Sequence, residues 1–552
     1  MHHSYLRGGA DARYSILFLK GYCAWSLAPT RRAVAQLASA LALGARGRGF
    51  ESHQPDHKNI RRKRIFLFTV LLYFSRITSP PMTLIKKISL QTGIQIAGKA
   101  LSTLIGIVAL SLLTRMLGAD GFGRFHTITV FVSFFGVVAD FGLYLLALKD
   151  LSAPDQNEST TFSKLLGSRI VLSSFFYLLT PAIALLFPYS PAILFGIVLT
   201  ALMNIFNSIS QLSTAVFQKH FATHRIATAE IIGRLILLAI LFYASTKTEA
   251  NLTWALLAIV VGSFVSMVLH LSFLKKFIKL SITINIQSLK KILSSSWPIA
   301  LSIFFSLIYF KTDSIILSLF RPTHEVGLYG VPYRILETAI AIPIIIMGLF
   351  LPQLSQLWHE KNIHQFKQTL NSAFKFIIFL AAPLVGVSIL VAKPLMLLLA
   401  GEQFVQEYNS LNDLSYIFIL LTIATAVIFI GAIFSQLIVT INSQKAMLKW
   451  YIIIAIVALS LYILLIPLYS YYAAAFITIG AELFVGIAAY FHVRKKINYI
   501  PDLSFGLKSI LFAAIPTVVL IPLAFQLIPA ILLYTIIYGA SHWLTGSFAS
   551  NT

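Results

Sequence analysis

From Leu84 almost to the C-terminus, apolar stretches longer than about 18 residues follow one another, with only short polar turns between them. Each stretch is long enough to cross ~30 Å of hydrocarbon as a helix. A backbone in lipid must satisfy its polar groups within its own segment or in a closed barrel. Barrel strands alternate over roughly 10 residues, and these runs do not. The expected fold is an all-α polytopic membrane protein. Only 11% of the 552 residues are charged and 58% are hydrophobic, whereas soluble domains run near 25% charged.

The formal net charge of +24 would suggest nucleic acid for a soluble chain. In a membrane chain it reflects loops rich in Lys and Arg on one side, so no nucleic-acid partner is expected. Cys23 is the single cysteine, which excludes an intrachain disulfide and a cysteine-based metal site. The histidines lack ligand spacing, and no phosphate loop, nucleotide fingerprint or Ser/His/Asp arrangement is present. The chain is therefore expected to hold no catalytic residues, metal or cofactor, and not to be an enzyme.

Residues 1–81 read differently. They carry 13 basic against three acidic residues. Their stretch 32–56 resembles the peptide obtained when a bacterial transfer-RNA gene is translated. A targeting segment or basic arm is the alternative, because Arg61, Arg62, Lys63 and Arg64 precede a short apolar run. That run is about half the length needed to span, and no cleavage pattern follows it. Residues 1–81 are expected to be a non-native extension, with Met82 as the start.

From Met82 the hydropathy pattern predicts fourteen spans, beginning at 90–114 and ending at 529–545. Alternate loops then carry 19 Lys and Arg on one side and five on the other. This is the positive-inside bias, and it places both termini in the cytoplasm. The longest and most basic inner connection, 275–291, follows span six. It divides the chain into an N-terminal six-helix lobe (82–274), a C-terminal six-helix lobe (292–493) and a terminal helix pair (507–545). Transporters built from repeats commonly have two lobes with the substrate between them.

Several segments together resemble the polysaccharide-transport, or O-antigen flippase, family of the multidrug/oligosaccharidyl-lipid/polysaccharide exporter superfamily. They are SLLTRMLGADGFGRF (111–125), ADFGL (139–143), Trp297-Pro298, KTDSIIL (311–317), EVGLYGVPYRI (325–335), LPQLS (351–355) and AKPLMLLLAGEQF (392–404). The resemblance spreads over most of 82–500. One departure is YSYYAAA (469–475), where relatives commonly have a Gly-rich turn.

The resemblance implies a non-enzymatic flippase of the bacterial inner membrane. Two lobes would form a V around a cavity and work by alternating access. The substrate would be an undecaprenyl-diphosphate-linked oligosaccharide repeat unit of O-antigen, capsule or exopolysaccharide. Its partners would be membrane lipid, with a polysaccharide polymerase and a chain-length regulator as further candidates. Rival readings are a lipid II flippase, a cation-coupled multidrug exporter of the same superfamily, and a membrane glycosyltransferase or polymerase. The last needs long outer loops or catalytic carboxylates, and the longest outer loop, near 393–413, is too short for a catalytic domain.

Nine ionisable residues stay inside the expected spans: Lys99, Asp140, Glu230, Arg234, Lys311, Asp313, Arg334, Glu337 and Glu482. Each costs roughly 2.5–3.5 kcal/mol at the bilayer centre, so such groups normally face a cavity or a partner. Lys99 lies 11 residues past Ile88, about 16 Å into its helix, where an ammonium suits a diphosphate as a point charge. Its alternative is a pair with Asp140. Glu230 and Arg234 share a helix face and are expected to neutralise each other. Glu482 stands alone, as a proton or cation site or a packed acid. Lys311, Asp313, Arg334 and Glu337 fall at matched depth on adjacent helices. They form either a neutral clamp, with Asp313 facing Arg334, or a site in which Arg334 and Lys311 meet the diphosphate while Asp313 and Glu337 tune it or carry a coupling cation. Pro298, Pro332, Pro343 and Pro383 are expected to interrupt helices of the second lobe.

Overall fold

The computed structural model describes residues 82–140, 143, 147, 151, 157–247, 251–406, 410–441, 443–523 and 527–545. The expectations for 1–81 lie outside these residues. Two compact units divide the chain, Met1–Ser89 with Asn551–Thr552 and Leu90–Ser550. Of the first, only the opening turns of a helix from Met82 are described. The second holds the rest, which is helical with no strand among the described residues.

The helices are α1 (Met82–Asp140), α2 (Glu158–Ala184), α3 (Pro191–Lys219), α4 (Thr223–Ser245), α5 (Leu252–Leu274), α6 (Ile286–Phe320), α7 (Thr323–Ala339) and α8 (Ala341–His359). They continue as α9 (Ile363–Ala400), α10 (Glu402–Gln406), α11 (Leu411–Thr440), α12 (Gln444–Ile497), α13 (Leu503–Leu520) and α14 (Leu527–Leu544).

Twelve helical segments among the described residues are long and apolar enough to cross a membrane. The expected number was fourteen spans. Two of the twelve segments, Gly93–Gly136 and Ala446–Ile497, are broken midway. In α1 the break is Gly118 (φ 64°) and in α12 it is Ser470 (φ 51°). Glycine adopts positive φ without a Cβ penalty. Serine does so only with support, and the support is described below.

Local sequence sets the ends. Asn157, Asn251, Asn362 and Asp502 accept main-chain N–H groups at the starts of α2, α5, α9 and α13, satisfying orphan donors of the first turn. Pro191 begins α3, where its missing N–H costs nothing. Asn498, in the left-handed region, closes α12. Pro343 cannot donate to a carbonyl four residues back, and α7 gives way to α8 at Ile340. Pro332 and Pro383 remain within continuous helices.

Long-range contacts sort the connections into two ends. At one, here the turn end, Tyr189 Oη lies 3.0 Å from Ser318 Oγ and Arg321 donates to the Pro467 carbonyl at 3.3 Å. At the other, the basic end, Lys219 and His220 meet Glu158 at 3.6 and 2.9 Å, and Lys375 meets Asp502 at 3.1 Å. The Ser504 hydroxyl first, then the Phe505 amide and Lys375, hold the Asp502 carboxyl down at about 2.

Candidate functional site

The groups α1–α5 and α6–α12 meet backbone to backbone where α1 crosses α7. A Cβ on Gly123 would strike the Thr323 carbonyl, and one on Gly327 would strike the Ala119 carbonyl. Two glycines therefore let backbone meet backbone. Thr323 Oγ1 donates to Asp120 beside this crossing. Thr114 and Arg115 reach the carbonyls of Leu399 and Leu398 at 2.5 and 3.0 Å. Among the described residues, the side-chain hydrogen bonds between the two groups all lie toward the turn end.

Deepest in this seam is a charged cluster. Thr129 follows Gly118 by 11 residues and Arg334 follows Thr323 by 11, so both lie about 16 Å from the turn end. Arg334 Nη2 donates to Thr129 Oγ1, and its Nη1 lies 3.0 Å from Glu337 Oε2. Lys311 of α6 pairs with the other oxygen of Glu337. One carboxylate thus serves two cations, and the trio carries a net +1. The Lys311 side chain is 14% exposed, Glu337 19% and Arg334 29%, so Arg334 is the member most open to an incoming ligand.

The expected Asp313–Arg334 clamp is replaced by this Glu337-centred pairing. Asp313 is fully buried and turns away. Its carboxylate accepts from Tyr329 Oη and the Ser314 amide, each at 2.6 Å, with Thr478 Oγ1 at 3.4 Å. Tyr462 Oη donates to the Tyr309 carbonyl at 3.0 Å and lies 3.2 Å from Thr478 Oγ1. Lys311 and Asp313 are two residues apart, so about 200° of helix separates them. That angle explains why one enters the seam and the other enters the interior of α6–α12. Glu482 is part-exposed on α12, in the neighbourhood of Tyr309, Tyr451 and Tyr462.

The remaining candidates lie apart. Lys99 is exposed on α1 and precedes Gly118 by 19 residues, about 28 Å from the turn end and 12 Å deeper than Arg334. Its neighbour Gly98 is buried against Ala227 of α4. Asp140 pairs not with Lys99 but with Arg169. Arg234 turns from Glu230 toward α1, where its Nη1 donates to the Ser102 carbonyl at 2.9 Å. No ion pair joins Glu230 to Arg234 among the described residues.

Sequence reasoning missed Arg169. The loop count takes Arg169 as one of the 19 inner-side basic residues, although the expected third span, 166–187, already includes it. In the structure α2 starts at Glu158 and Arg169 is 2% exposed. It donates to Asp140, to Gln211 Oε1 at 2.5 Å and to the Ser208 carbonyl at 3.1 Å. The Asn157-Glu158 pair, an N-cap followed by an acid, was a readable sign of the earlier start. His126 was also missed. It is buried on α1, with Nε2 3.3 Å from Ser314 Oγ and its ring edge-on to Tyr333 at 5.7 Å. No local signal distinguishes it from a core residue.

Comparison with known proteins adds three findings. A family model described as polysaccharide biosynthesis protein matches residues 112–409. A capsular polysaccharide biosynthesis protein of Staphylococcus aureus, CapF, is 25% identical over 304 residues, covering 54% of this chain and 74% of that protein. Among solved structures, lipid II flippase MurJ in an inward closed conformation superposes with a TM-score of 0.66 at 16% identity, covering 83% of this chain and 98% of that one. An inward-facing multidrug resistance transporter of the MATE family gives 0.58 at 12%, covering 73% and 98%. These two structures share the fold of this multi-pass membrane protein.

Proposed function

Because the chain belongs to the polysaccharide biosynthesis protein family, we propose that it is a non-enzymatic flippase for undecaprenyl-diphosphate-linked oligosaccharide repeat units, working by alternating access. The observation that carries this reading is the cationic trio Lys311–Glu337–Arg334 at the seam between α1–α5 and α6–α12. A diphosphate offers planar oxygen pairs that an Arg fork binds bidentately. It would compete with Glu337 for Arg334 and with Thr129 for the same guanidinium. Cargo binding would then remove a bond between the two groups, which ties recognition to opening.

In this mechanism the lobes are 82–274 and 292–493, joined by the 275–291 linker, with 507–545 as an appended pair. The basic end faces the cytoplasm with both termini, in a bacterial inner membrane crossed fourteen times. The cargo's diphosphate enters near Lys99 and passes over about 12 Å to Arg334, while the prenyl tail stays in lipid. Asp313 and Glu482, both near the tyrosines of α6–α12, carry a coupling proton or cation. A polysaccharide polymerase and a chain-length regulator receive the product.

A second reading, lipid II translocation, draws support from the fold shared with MurJ along 98% of its length; a cation-coupled multidrug exporter draws the same kind of support from MATE. The deciding experiment is complementation of strains lacking either an O-antigen-type flippase or a lipid II flippase, with lipid-linked sugars assayed on each membrane face. Rescue of the second strain alone would replace the proposed cargo. Cysteines at Lys247 and Lys361 should label from opposite faces. Labelling of both by an impermeant outer reagent would overturn the orientation.

A further inference from the structure

We propose that a cleft at the basic end, between the two arms of α12, seats the head group of an anionic membrane phospholipid. The cleft has a volume of about 840 Å3 and lies outside the seam that holds the charged cluster. Lys449, Lys495 and Lys496 line it together with His492, and no carboxylate does. Lys496 is tied to the Ile441 carbonyl at 2.9 Å and to Ser443 Oγ at 2.8 Å. Lys449 and Lys495 form no ion pair among the described residues and are exposed. His492 adds a buried Nε2 with no hydrogen-bond partner among those residues. Two untethered ammonium groups and an unsatisfied ring nitrogen thus converge on one hollow.

Chemistry along the cleft changes with depth. Residues 484, 487, 488, 491, 492 and 495 recur at helical spacing on one face of the second arm. Toward the turn end that face presents Phe484, Ile487 and Phe491, which are 44%, 45% and 57% exposed. Phe484 and Lys495 are 11 residues apart, about 16 Å along the helix. Trp450, with the Lys449 ammonium 5.3 Å from its ring centroid, sits at the join, and Trp favours the membrane–water interface. An amphiphile with an acidic head and an apolar chain matches both ends, whereas a soluble phosphate matches only one. Basic pockets between helix ends hold acidic lipid head groups by this logic. The two arms belong to one group of helices, so a molecule here is a resident rather than a traveller between groups.

The test uses the purified full chain in lipid nanodiscs, with retained lipid counted by native mass spectrometry. Phosphatidylglycerol, phosphatidylcholine, undecaprenyl phosphate and inorganic phosphate are offered separately. The Lys449→Gln/Lys495→Gln protein should retain at least about tenfold less phosphatidylglycerol than the parent, with phosphatidylcholine unchanged. Lys276→Gln/Lys279→Gln, which removes the same charge from another surface, should retain the parental amount. Thermal melting of both variants should match the parent, since the four lysines make no described ion pair. Equal phosphatidylglycerol retention by the two double variants would overturn the proposal by reducing the effect to net charge. So would a cleft-dependent preference for undecaprenyl phosphate or inorganic phosphate over phosphatidylglycerol.

Discussion

Arg334 and Thr129 sit on helices from different groups at the same depth, and the guanidinium of the first donates to the hydroxyl of the second. The same guanidinium holds Glu337 at 3.0 Å. It is the deepest charged link across the seam, and the first prediction concerns it. Arg334→Ala should lower lipid-linked sugar translocation by at least about tenfold, equivalent to ~1.4 kcal/mol, with normal protein in the membrane. Arg334→Lys should retain part of the activity, because charge survives while the fork is lost. Thr129→Val should cost less than Arg334→Ala. Unimpaired transport by the Ala protein would remove Arg334 from the cargo path.

Glu337 neutralises two cations, so its loss is expected to be structural before it is functional. Glu337→Gln leaves Lys311 and Arg334 facing each other without an acid and should destabilise by about 3 kcal/mol. Thermal melting in detergent would show it. Adding Lys311→Met should recover most of that stability by removing one of the two repelling charges. Lack of recovery would mean that Glu337 stabilises through some other contact.

Asp140→Asn should be similarly costly, since Arg169 is almost wholly buried and Asp140 is its charged partner. A loss of about 3 kcal/mol and a reduced membrane yield are expected. Asp140→Asn with Arg169→Gln should recover part of it. Intact yield of the single variant would show that Gln211 and the Ser208 carbonyl suffice for the guanidinium.

Ser470 occupies a backbone region suited to glycine, with φ 51° and ψ −137°. Its hydroxyl donates to Glu325, which is itself gripped by Arg321 through two bonds of 2.8 Å. Ser470→Ala keeps the strain and loses the bond to a charged group, and should cost about 1–2 kcal/mol. Ser470→Gly loses the bond but relieves the strain, and should lie close to the parent. Equal melting of the Ala and Gly proteins would refute this account.

Lys99→Ala should reduce translocation without lowering protein yield, because the side chain is exposed and no described contact depends on it. Lys99→Arg should keep part of the activity. Normal transport by the Ala protein would take Lys99 out of the cargo path.

Much of this architecture was readable from run length alone, since an apolar run of about 20 residues in lipid has few alternatives to a helix. The matched depth of Lys311, Arg334 and Glu337 was likewise readable, as depth follows from residue count. The partners were not. Asp313 and Tyr329 stand 16 residues apart, and Glu325 and Ser470 145 apart, separations at which no local pattern operates. Tyr329, Tyr333 and Tyr462 read as members of apolar runs, and their hydroxyls acquire meaning only through packing. The stretch 469–475, which departs from the Gly-rich turn that the resemblance implies, holds Ser470 but does not single it out, and the carboxylate that compensates it lies in another helix pair.

The buried bonds from Tyr329 and Thr478 to Asp313, and from Tyr462 to α6, stitch α6, α7 and α12 to one another beneath a covering of apolar side chains. The links across the seam lie nearer one rim and end on hydroxyls, carbonyls, the Asp120 carboxylate, the His126 ring and the guanidiniums of Arg115 and Arg334. Mechanically this is a stiff block latched along a single edge. Applied stress should open the latch long before it deforms the block, much as a folder opens at its clasp and not through its covers.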